Sequence, residues 1–155
     1  MSPAVIGDSF PEKDKKEFAE RNLIPGSIIL CYFEPARKEK WFVVIGINSD
    51  KSMVATLLFN TDKPFAGNKV LESLQVHFKS QSNIYLKNDS YVNCAHIKVV
   101  SYKKLFDELV VYPKHLLGKM PQVDFDRICT IAANAKTISK KYVNMFGLTG
   151  YLLQK

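Results

Sequence analysis

From Glu34 to Gly46 the chain reads EPARKEKWFVVIG, a charged, proline-bearing turn that runs straight into an unbroken apolar strand. Arg37, Lys38 and Lys40 stand close together beside Trp41, and that composition suits phosphate. An arginine's planar fork pairs two phosphate oxygens at once and keeps its charge. Flanking lysines add positive field at the same rim. Cleavage of RNA by its own 2′-hydroxyl needs a base, a group that holds the negative phosphorane and a proton for the leaving oxygen; a fixed arginine fits the second role. The same residues also describe a solvated turn, with Glu34 and Glu39 pairing the cations at the surface. Both readings stand on the residues alone.

Other chemistry-bearing positions are sparser. Thr61, in Asn60-Thr61-Asp62, could donate a hydrogen bond to a phosphate oxygen, or the three residues could simply form a turn bonded to its own backbone. His96 follows Cys94 by two positions, which on a strand would place both on one face. No second Cys/His pair completes a tetrahedral set, so no metal or cofactor is expected. His77 and His115 stand in isolated settings. Tyr32, Phe33, Trp41, Phe42, Tyr85 and Tyr91 crowd the central region. On an open sheet face such rings stack bases, at ~1–3 kcal/mol each. In a small barrel most of them fill the core, and Trp41, bordering the basic turn, is the one placed to do otherwise.

The elements that must hold these residues follow from pattern and punctuation. Pro11 to Leu23 predicts a short charged helix, and Ile24-Pro25-Gly26-Ser27 breaks it. IILCYFEP is a strand that ends at Pro35, which cannot donate to a ladder. WFVVIGI, apolar on both faces, is a central strand. A turn over Asn48-Ser49-Asp50-Lys51-Ser52 leads to MVATLLFN, completing an antiparallel meander. A strand is expected over Leu74 to Phe78. Two more come from IYLKND and SYVNCAHIKVVS, and Glu108 to Tyr112 is a further candidate. Gly118 and Pro121 break the chain. Asp124 is a plausible cap for a helix from Phe125 to about Thr137, and Ser139 to Phe146 suggests another. The expected architecture is mainly β with flanking α: a small, strongly bent antiparallel barrel. One domain spans 1–155, with a helical extension over 1–24, the barrel over 25–123 and closing helices over 124–155. The last stretch, AKTISKKYVNMFGLTGYLLQK, mixes lysines with apolar residues that need burial, on a partner chain or on the barrel itself.

Charge adds a partner class. The chain of 155 residues carries a formal charge of +7. Residues 1–39 hold six Lys/Arg against seven Asp/Glu, whereas 40–155 hold sixteen against eight. A surplus on one portion attracts polyanions in a salt-dependent way, or it is a lysine-rich solvated surface. No apolar run approaches the ~18 residues that span a bilayer, and no basic segment followed by an apolar one opens the chain. Three cysteines, an odd number set in apolar segments, predict buried free thiols. A cytoplasmic protein with no membrane partner is expected.

Three stretches, PGSIILCYFEPARKEKWFVVIG, KNDSYVNCAHIKVVSYKKL and LLGKMPQVDFDRICTIAANA, together resemble the PemK/MazF-type growth inhibitors, the toxin halves of bacterial toxin–antitoxin pairs. They match in order and spacing the family's glycine-led first strand and basic loop, its Ser-bearing later strand and the start of its closing helix. The resemblance implies an SH3-like barrel that forms a homodimer, binds an antitoxin protein and cuts single-stranded RNA without a metal. By position it implies Arg37 and Thr61 as catalytic residues, with Lys38, Lys40, Trp41, Asn60 and Ser90 contacting nucleic acid. The chain departs from the family in a shorter loop without glycine, and in Lys40-Trp41 where the family has Arg-Pro.

Overall fold

A charged helix and a glycine turn start the sheet. Helix α1 (Glu12–Asn22) carries Glu12 and Asp14 in its first turn and Arg21 in its last, the order that suits the helix dipole. Ala19 and Leu23 bury its inner side. Gly26 then takes φ +97°, a left-handed value that glycine adopts without strain. Its amide donates to the Val44 carbonyl at 2.7 Å, and its carbonyl accepts from Met120 at 2.8 Å. The computed structural model describes residues 11–33, 38–83 and 86–153.

Seven strands follow among the described residues: β1 (Ser27–Phe33), β2 (Lys38–Ile47), β3 (Met53–Asn60), β4 (Gln75–Phe78), β5 (Ser90–Asn93), β6 (Lys98–Ser101) and β7 (Leu116–Lys119). All pair antiparallel in the order β4-β5-β3-β2-β1-β7, and β6 also pairs with β3. The free side of β3 is shared, with β6 along Met53–Thr56 and β5 at Phe59 and Asn60. The sheet therefore curls into a half-barrel, the expected SH3-like antiparallel architecture. Around it lie α1, α2 (Lys69–Ser73), α3 (Tyr102–Val111), α4 (Gln122–Asn134) and α5 (Lys140–Met145). No helix of the described residues is long and apolar enough to cross a membrane.

The unbroken apolar run of β2 is explained by two cores, one on each face. Ile28 pairs with Val43 and Ile29 with Phe42, so neighbours along each strand point to opposite sides. Val43, Ile45, Leu57 and Phe59 face α4 and the closing segment through Ile128, Ala132, Val143, Phe146 and Leu148. Ile29, Phe42, Val44 and Val54 face α1 and α3 through Leu23, Leu105 and Leu109. Each such side chain withdrawn from water contributes roughly 1.5–3 kcal/mol. The apolar tail thus docks on the barrel of its own chain. It comes close to the sheet at Gly46, next to a bulge that inserts Ile45 opposite β3; a Cβ there would collide with the Phe146 backbone. Thr56, fully buried, donates its hydroxyl to the Lys98 carbonyl at 2.8 Å and ties β6 to β3.

Several expectations are corrected. Lys38 and Lys40 belong to β2, paired with Phe33 and Cys31, so only residues 34–37 connect the first two strands. Glu108 to Tyr112 is not a strand: Leu105 and Leu109 recur at helical spacing, and Ser101 caps α3 by accepting from the Lys104 amide at 3.3 Å. SYVNCAHIKVVS is two strands, split by a turn at Cys94 and Ala95. Within IYLKND, Lys87 and Asn88 form a bend and Leu86 and Asp89 belong to no strand, while Ile84 and Tyr85 lie outside the described residues. Gly118 lies inside β7 rather than in a break. α4 begins earlier than expected, with Pro121 at its cap position and Asp124 in its first turn.

Candidate nucleic-acid interface

The register between β2 and β3 ends at Phe42 opposite Leu58. Beyond that pair the two strands keep going with different partners. β2 continues back to Lys38 against β1, while β3 continues to Asn60 against β5. The sheet forks there, and backbone that would otherwise be laddered borders an opening. A cavity of about 260 Å³ occupies the fork, lined by Glu39, Lys40 and Trp41 from β2, Phe59, Asn60 and Thr61 from β3, and Lys87, Asn88 and Ser90 from the segment entering β5.

Because the opening passes between two strands, it collects side chains from both faces. Asn60 pairs with Tyr91 on the outer face, and Lys40 reaches it there, Nζ to Oδ1 at 3.4 Å. Phe59 pairs with Val92 on the inner face, where Trp41, half-buried, packs against the core. Ser90 is 5% exposed, and its hydroxyl donates to the Asn88 carbonyl at 3.0 Å. Thr61, the first residue past β3, is exposed. The lining holds two ammonium groups against one carboxylate, with an indole, two amides and two hydroxyls. Such a set can hold an anion while presenting a flat apolar surface to a ring.

Five of the residues expected from sequence, Lys40, Trp41, Asn60, Thr61 and Ser90, converge on this cavity from three separate stretches. Lys38 opens β2 at its hairpin pairing with Phe33. Arg37 lies outside the described residues. Lys87, Asn88 and Glu39 also line the cavity and were not singled out as site residues. A lysine next to Asn-Asp-Ser was a legible cation in a turn, but nothing in the sequence says that this turn returns to the ends of β2 and β3.

The histidines and cysteines take other parts. Cys94 is buried and His96 exposed, so the turn separates the two residues that a strand would have aligned. Burial pushes the thiols of Cys94 and Cys129 up to about 12. His77 lies over Tyr91, ring centroids 4.8 Å apart. His115 Nδ1 is 3.0 Å from a Glu108 carboxylate oxygen, with Tyr112 stacked on its ring. Among the described residues no three His, Cys, Asp or Glu gather in a way that could hold a metal ion. No protein-family model matches the chain, and the search of curated proteins also finds no match.

Proposed function

We propose that the protein is a PemK/MazF-like, cytoplasmic RNA-binding barrel that takes one nucleotide of single-stranded RNA into the fork between β2 and β3 and cleaves the strand there without a metal. The observation that carries this reading is the convergence of Lys40, Trp41, Asn60, Thr61, Lys87 and Ser90 on one cavity at the fork. Lys40 and Lys87 attract the phosphate, the amides and hydroxyls orient it, and Trp41 offers a face for the base. Arg37 is the residue assigned to the phosphorane charge, with Thr61 donating to a phosphate oxygen. The resemblance extends the reading to a homodimer and to inhibition by an antitoxin protein. The alternative is a barrel of the same fold that binds nucleic acid or protein without cleaving. It draws on the cavity's own chemistry, in which Glu39 is the single carboxylate among the lining residues.

Trp41 is the chain's single tryptophan, so its fluorescence reports directly on the cavity. Single-stranded RNA should quench it at low salt, with affinity falling steeply as salt rises. Incubation with a labelled RNA in chelator should yield fragments from wild type. Arg37→Lys keeps the charge but loses the bidentate fork, so it should bind and fail to cleave. Quenching without cleavage by wild type selects the binding-only alternative. No quenching and no retention on heparin at low salt removes nucleic acid as a partner. A strictly monomeric elution at micromolar concentration removes the homodimer.

A further inference from the structure

The outer face of the sheet carries a continuous row that starts at the cavity and leaves it. Lys40 reaches Asn60, Asn60 stands opposite Tyr91, and Tyr91 stands opposite His77, one residue from each of β2, β3, β5 and β4. Directly opposed residues in antiparallel strands share a face, so the row from Asn60 to His77 is fixed by register. Its two interstrand steps span about 10 Å, and the Lys40 Nζ contact carries the row across the fork. At its far end the His77 and Tyr91 rings lie against each other, centroids 4.8 Å apart and tilted by 31°. The His77 side chain remains 39% exposed.

Two carboxylates, Glu72 and Asp89, and two lysines, Lys63 and Lys79, stand around this pair. Asp89 is 3.9 Å from His77 Nε2, and its other oxygen accepts from the Ser80 amide at 2.9 Å and hydroxyl at 3.2 Å. That carboxylate is therefore engaged with the turn and the imidazole. Glu72 is bound to Lys63 at 2.7 Å, and Lys79, two residues after His77, helps hold the Asp89 carboxylate below its ordinary range. The pair thus offers a partly exposed aromatic surface, which suits a base.

We infer that the Tyr91–His77 pair is a stacking platform for the nucleotide next to the one in the cavity, so that single-stranded RNA crosses the sheet from β2 to β4. The inference rests on the proposed RNA reading of the cavity. It adds the direction of the strand and a second subsite. The competing explanation is that the two rings form only a cross-strand packing pair, which stabilises the sheet and touches no ligand.

The test uses two probes, uridine 3′-monophosphate and a labelled uridine hexanucleotide, with Trp41 quenching as the cavity signal and anisotropy as the signal for the longer strand. Tyr91→Leu removes the ring face, so the hexanucleotide should bind about 5- to 100-fold more weakly. The mononucleotide, which fills the cavity alone, should quench Trp41 as it does in wild type. Tyr91→Phe, which restores the ring, should recover hexanucleotide binding to within about threefold. Hexanucleotide affinity unchanged in Tyr91→Leu, with quenching lost in Lys40→Ala, overturns the platform and leaves the cavity reading standing. Equal weakening of mononucleotide and hexanucleotide also overturns it, because the loss then acts through Asn60 at the cavity. If wild type binds the hexanucleotide without quenching Trp41, or binds neither probe, the cavity reading falls and the platform falls with it.

Discussion

Replacing Gly46 with alanine tests how the closing segment is held. A methyl at this position would come within 2.8 Å of the Phe146 Cβ and 3.2 Å of its carbonyl carbon, and closer still to the carbonyl oxygen. Ordinary contact begins at 3.4 Å. The Phe146 backbone must therefore retreat by about 0.6 Å or more, in an interior packed without spare room. Two responses compete. The segment can undock, exposing Val143, Phe146 and Leu148, each at most 3% exposed in the native fold; that costs about 5–9 kcal/mol. Alternatively it stays and the overpacking is borne as strain, at ~1–3 kcal/mol. Strain is the smaller cost, so the segment stays docked. Gly46→Ala should then lower stability by ~1–3 kcal/mol, and Tm by roughly 2–12 °C for a chain of this size. Urea unfolding followed by circular dichroism should show a lower midpoint with an unchanged slope, because the surface exposed on unfolding is the same. A reduced slope would mean the segment has undocked. A variant within about 0.5 kcal/mol of wild type would refute the close approach itself.

Thr56→Val keeps the shape but removes the hydroxyl that donates to the Lys98 carbonyl; a loss of about 1–2 kcal/mol is expected in urea unfolding, and a neutral result would mean that this bond adds nothing to the β3–β6 seam. The thiols of Cys94 and Cys129 should resist alkylation at pH 8 in the native protein and react once urea unfolds it, since burial keeps both protonated. Their folded values, raised from 9.0 to about 12, mean that the unfolded chain holds fewer protons across that interval. The stability they contribute is complete below pH 9 and is lost as pH rises toward 12, so the Cys94→Ala/Cys129→Ala variant should lose less stability than wild type on going from pH 8 to 10.5. An identical loss in both proteins would show that other groups set the alkaline limit.

The parts of the fold that sequence disclosed are those with a local cause. β3 is visible as MVATLLFN because an Asn-Ser-Asp turn precedes it and Asn-Thr-Asp ends it. WFVVIGI is visible as central because no polar residue interrupts it. α3 was obscured because ELVVY looks strand-like in isolation, while the Leu105–Leu109 spacing that makes it a helix starts earlier. β7, Leu-Leu-Gly-Lys, has no pattern of its own; only pairing with β1 makes it a strand. The same holds at the cavity. Lys40 was named as part of the basic turn, Trp41 because it borders that turn and Asn60 because it stands beside Thr61 at the end of β3, whereas Lys87 and Asn88 enter through a fold-back of bends that no periodicity encodes.

The pairing of β1 with β7 also has a consequence for how the chain acquires its structure. Ser27 and Ile28, in β1, find Lys119 and Gly118, in β7, the last of the described strands. Until β7 is made, β1 has one partner and an open edge along Ser27, Ile28 and Ile29, and every described strand and helix between them is made before that edge is covered. Contacts so far apart in sequence form slowly, because the loop between them must be closed before they return any stability. The growing chain thus exposes a hydrophobic strand edge until β7 is made. Crowded expression should favour edge-to-edge association at this strand, and slower synthesis or a chaperone that masks extended apolar segments should raise the soluble yield.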